Sequence, residues 1–134
     1  MQDIYKLARI QIAFVILFVI CKKVVRPFVL NRSFPDFADI TVLSLPNFFE
    51  GVVGVLTLTG LGLYIFNSLK IKFQLYWVYL MAVILAAIYT ITQEFKIHNL
   101  GGNNIYDPYD VLFSVIGLIL GYLIVLRVRP SIQD

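Results

Sequence analysis

Four apolar stretches, at 4–21, 52–69, 75–92 and 111–126, dominate the sequence and leave few folds open to it. A helix needs about 20 predominantly apolar residues to cross the hydrocarbon core of a bilayer. Strands are a poor alternative, because the runs are too long and lack the period-two alternation of a barrel wall. The composition agrees. Hydrophobic residues make up 60% of the chain and charged residues 14%, against roughly 45–50% and about 25% in soluble domains. A soluble fold of 134 residues could not hide that much apolar surface. The expected fold is all-α: a polytopic membrane protein of four transmembrane helices in a single domain, 1–134.

The first stretch is the weakest. Lys6 and Arg9 must snorkel at one end, and Lys22 and Lys23 at the other. Residues 24–30 are apolar around Arg26 and Pro27, and either prolong the helix or lie along the interface. Lys6 and Arg9 before an apolar run resemble a signal peptide, but no small-x-small cleavage site follows. An uncleaved first helix is expected. Cys21 is the one cysteine, so no internal disulfide can form.

The connections differ in kind. Residues 31–49 hold Pro35, Pro46 and several turn formers, so an outer loop is expected, held to the interface by Phe34, Phe37, Phe48 and Phe49. Residues 96–108 hold a Gly-Gly-Asn-Asn turn and form a second outer loop. The short link at 70–74 makes a hairpin of spans two and three. Tyr76, Trp77 and Tyr79 open the third span as an interfacial aromatic belt.

Four spans put the chain's two ends and the 70–74 turn on one side. That side carries six basic residues, Lys6, Arg9, Lys70, Lys72, Arg127 and Arg129, against five on the other. The expected orientation is therefore N-in/C-in. Lys22, Lys23 and Arg26 fall on the outer side, where they bind lipid phosphates or simply anchor the helix end. The net charge of +3 is not gathered into a run, which argues against a nucleic-acid partner.

Helical spacing groups the polar and small residues. Glu50, Gly54 and Thr57 form one stripe. Ala82, Ala86, Thr90 and Glu94 form a second, and Asp110, Ser114, Gly117 and Gly121 a third. Small residues at such spacing let helices approach closely, and Gly117 and Gly121 make a GxxxG pair. If the stripes face one another, Glu50, Glu94 and Asp110 gather at one outer-facing site, with Asp107 and Ser114 beside them. Carboxylates near a span are costly and hence functional candidates. Glu50 and Asp110 also stand at helix starts, where an acid caps free N–H groups. Glu94 stands at a helix end, where the dipole disfavours it. His98 with scattered carboxylates is no metal-site pattern, and no cofactor is expected.

A resemblance enters on the C-terminal third. Thr92-Gln93-Glu94-Phe95, then a turn, then Asp107-Pro108-Tyr109-Asp110-Val111, then Gly117 and Gly121, resembles the VanZ-like family of small membrane proteins. Ser44-Leu45-Pro46-Asn47-Phe48 resembles that family's loop after the first span. The resemblance implies a cell-envelope protein of the bacterial inner membrane, and no established reaction. The outer carboxylates would engage a polar lipid head group, an envelope precursor or a cation. The alternative is a non-catalytic subunit or scaffold of a larger inner-membrane complex. Expected partners are membrane lipids, with a membrane-protein partner or a homo-oligomer also open. No nucleophile–base pair, phosphate loop or metal cluster marks an enzyme.

Overall fold

The computed structural model describes residues 2–72, 74–95 and 107–131. All regular structure among them is helical. Helix α1 runs Gln2–Ile20, passes through a π-helical turn at Cys21–Val25, and continues as the short helix α2, Arg26–Leu30. Pro27 offers no N–H and its ring crowds the preceding turn. The wider turn accommodates it, closed by the Arg26 N–H donating to the Cys21 carbonyl. The chain at 24–30 thus prolongs the first helix.

Helix α3, Asp36–Ser68, is 33 residues long, about 50 Å at the helical rise. It corrects one expectation: most of 31–49, read as an outer loop, is helical. Pro35 sits outside the helix with extended ψ and starts it, and Asp36 and Asp39 favour its first turn. Pro46 lies inside it and forfeits only the bond to the Val42 carbonyl. It borders a small hollow shared with Cys21, Lys22 and Arg26 of the first helix.

Helix α3 ends in a tight reversal. The Ile71 N–H donates to the Phe66 carbonyl and the Lys70 N–H to that of Asn67, with Lys70 left-handed at φ 52°. This is a Schellman closure, usually built on glycine. Helix α4 is Leu75–Glu94 and helix α5 is Pro108–Val128. Pro108 takes the first position of α5, and the Asp107 carboxylate accepts the Tyr109 N–H at 2.9 Å. Asp107, rather than Asp110, is the capping residue.

Helix α3 is the centre of the bundle, packed against α1, α4 and α5, while α4 and α5 also pack on each other. Pairings give the directions. Gly117 meets Phe48 and Gly121 meets Val52 and Val55, so α5 runs parallel to α3. Gly54 meets Ala86 and Gly62 meets Val78, so α4 runs antiparallel. Gln11 meets Thr57, and Phe14 and Phe18 meet Phe49, so α1 is antiparallel too. The core lies along α3, with Val52, Val55, Leu56, Ala86, Leu118 and Val125 at its heart. The buried Tyr79 hydroxyl donates to the Pro130 carbonyl at 2.7 Å and ties the end of α5 to the start of α4.

Helices α3, α4 and α5 are each long and apolar enough to cross a membrane. They wear large apolar side chains outward, among them Ile84, Ile88, Ile119 and Leu123. That is normal against lipid, where the bilayer is the solvent for such faces. Helix α1 carries Asp3, Lys6 and Arg9 in its first half.

Candidate functional site

The three small-residue stripes do not share one seam. Ser114, Gly117 and Gly121 are buried against a face of α3 made by Phe48, Gly51, Val52 and Val55. Ala82, Ala86 and Thr90 are buried on α4, and Ala86 meets Gly54. The stripe of Glu50, Gly54 and Thr57 therefore looks toward α4 and α1, away from α5. Gly51 was not among the expected packing residues, yet a Cβ there would stand 2.8 Å from the Ser114 carbonyl.

That face of α3 opens a cleft of about 720 Å³ between α1 and α4. These two helices do not pack on each other, so α3 forms the floor. Val15 and Phe18 make one wall, and Leu85, Tyr89 and Gln93 the other. Phe49, Val53, Gly54 and Leu58 line the bottom. The size falls within the roughly 300–1,000 Å³ of ordinary small-molecule sites.

Polar groups stand toward both ends. Deep in the cleft, the Thr57 hydroxyl accepts from Gln11 Nε2 at 2.8 Å and donates to the Val53 carbonyl. The Thr90 hydroxyl is likewise spent on the Ala86 carbonyl. Glu50 and Gln93 stand toward the other end, and among the described residues neither side chain makes a hydrogen bond. The Lys22 ammonium lies 5.6 Å from the centre of the Phe18 ring, which lines the cleft, while Lys22 itself borders a separate small hollow with Cys21, Arg26 and Pro46. It closes no ion pair with Glu50. Among the described residues Lys6–Asp3 is the one salt bridge.

The other expected site residues stand nearby but outside the cleft. Glu94 is half-buried at the end of α4, and Asp107 and Asp110 stand at the start of α5, which packs beside it. With Glu50, all four carboxylates belong to the same end of the bundle. Ser114 is buried in the α3–α5 contact. Lys23 is exposed, and Arg26 is half-buried beside Val42 and Pro46. His98 and most of the 96–108 segment lie outside the described residues. Among the described residues no three His, Cys, Asp or Glu side chains stand close enough to hold a metal ion. Val15, Phe18 and Tyr89 were not foreseen, since largely apolar wall residues look the same in sequence whether they face lipid or a cleft.

An all-α chain with three candidate membrane spans has the make-up of a multi-pass membrane protein. Compared with protein-family models, characterised proteins and solved structures, it matches none.

Proposed function

We propose that this chain is a lipid-binding protein of the membrane, holding one lipid chain in the cleft between α1 and α4 with its polar head group at the Glu50 end. In this reading α1 also crosses the bilayer, giving four spans with both ends inside. Glu50, Glu94, Asp107 and Asp110 then face outward. The VanZ-like resemblance belongs to the same proposal, with the bacterial inner membrane as the expected location.

The observation that carries the reading is the division of the cleft. Its walls are mostly apolar and the Thr57 and Thr90 hydroxyls are already satisfied, while an uncommitted carboxylate and carboxamide stand at one end. A lipid has that same division. Catalysis is not part of the proposal, because no nucleophile stands beside a base there.

The test fills the cleft. Val15 and Leu85 line it and are exposed, so Val15→Trp and Leu85→Trp add bulk without disturbing the core. Lipid co-purifying with the wild-type protein is counted by native mass spectrometry. The proposal expects at least one retained lipid in the wild type and its loss in the double variant. Equal retention by both would contradict it.

A further inference from the structure

Glu50 stands between two aromatic walls. Gly54 meets Ala86 and Gly62 meets Val78, and that register sets Glu50 level with Thr90 of α4. Tyr89 and Gln93, to either side of Thr90 along α4, line the same cleft as Glu50. On the α1 side Gln11 meets Thr57 and the Phe18 ring lies 6.1 Å from that of Phe49, so Phe18 comes to the same level. The Phe18 ring already has the Lys22 ammonium near it, whereas the exposed Tyr89 ring carries no cation among the described residues. Among the described residues no Lys, Arg or His lines the cleft, and Glu50 is exposed and closes no ion pair.

We infer that the ligand of the cleft is a cationic amphiphile, an ammonium group on an apolar chain, with the ammonium between the Glu50 carboxylate and the Tyr89 ring and the chain along Leu58 and Leu85. This rests on the lipid-binding reading above and names the charge of the ligand. A carboxylate in or beside a span is costly without a counter-charge, and such a ligand supplies one. An aromatic face beside the carboxylate attracts an ammonium further, quaternary ammonium included. The Gln93 carbonyl offers an acceptor beside them where the ammonium carries N–H groups. A neutral head group leaves Glu50 unpaired, and an anionic one is repelled by it. A membrane lipid with an ammonium head and a free single-chain amine share this chemistry.

The full chain is purified in a non-ionic detergent and titrated with three lipids of identical acyl chains: a diacyl trimethylammonium propane, a diacylglycerol and a phosphatidylglycerol. Hexadecyltrimethylammonium is the single-chain probe, and native mass spectrometry counts what is bound. A contact with a charged group is worth about tenfold in affinity, so the cationic lipid should exceed its neutral twin by about that factor. Glu50→Gln should remove the difference, and Tyr89→Leu should reduce it roughly two- to fivefold. Both side chains are exposed, and circular dichroism confirms that each variant folds. A Glu50-dependent preference shared by the diacyl cation assigns the site to a membrane lipid, and one confined to the single-chain cation assigns it to a free amphiphile; both support the inference. Equal binding of the three lipids without a Glu50-dependent gain for the single-chain cation, a preference for the neutral or anionic lipid, or an unchanged preference in Glu50→Gln overturns the inference and leaves lipid binding standing. Binding of none of the four overturns the lipid-binding reading itself.

Discussion

Gly117 of α5 lies so close to the Phe48 main chain of α3 that no side-chain atom fits between them. Gly51 makes the matching approach from the α3 side, against Ser114 and Leu118. Backbone rather than flexible side chain stands in the way in both places, so neither can yield cheaply. Gly117→Ala should separate the two helices and destabilise the protein by at least about 1–3 kcal/mol, the usual cost of overpacking. Gly60 has nothing within 4 Å, and Gly60→Ala serves as the matched control. Thermal unfolding in detergent should show a clear drop for the first and little change for the second.

Helix α1 is held to α3 by few specific contacts. Gln11 and Thr57 form the side-chain hydrogen bond between them, and Phe14 and Phe18 place ring edges against Phe49. Hydrogen bonds between helices in membranes average about 0.6 kcal/mol. Gln11→Leu and Thr57→Val should each destabilise by about that amount, and the double variant by no more than either alone. Chemical denaturation of the four proteins completes the cycle, and additive losses would show that the bond is not formed.

Lys70 adopts a left-handed conformation in the turn after α3. That conformation costs an L-residue roughly 1–2 kcal/mol, and glycine avoids the cost. Lys70→Gly should therefore raise the unfolding midpoint, less a fraction lost to the freer unfolded chain. A lowered midpoint would mean that the Lys70 side chain has a role of its own.

Much of the architecture was legible because bilayer crossing leaves a long, simple signal. The stretches at 52–69, 75–92 and 111–126 fall within or nearly within α3, α4 and α5. The segment at 31–49 was not legible as helix. Pro35, Pro46 and the turn formers outweighed its apolar residues, yet Pro46 forfeits one backbone bond and the helix runs through it. The stripes were legible as faces but not as partners. Spacing shows that Glu50, Gly54 and Thr57 lie together; it does not show that α5 takes the neighbouring face through Gly51. For the same reason the sequence gathered Glu50 and Asp110 under one site, whereas α3 stands with one face toward the cleft and another toward α5.

The proposed four-span topology makes a separate prediction. With Cys21→Ser as background, Lys23→Cys and Lys70→Cys place single thiols at two exposed positions. In intact cells a membrane-impermeant maleimide should label the thiol at 23 and spare that at 70. The reverse pattern would invert the orientation, and labelling of both or neither would deny that the segment between them crosses the bilayer an odd number of times.

The most direct test of the cleft is a photo-crosslinking experiment with a phospholipid carrying a diazirine on its acyl chain. After irradiation in vesicles, the modified residues are mapped by peptide mass spectrometry. The account predicts adducts concentrated on Val53, Leu58, Leu85 and Tyr89, which line the cleft. Adducts spread equally over Ile116, Ile119 and Leu123, exposed on the outer face of α5, would mean that lipid merely surrounds the protein and that the cleft holds none.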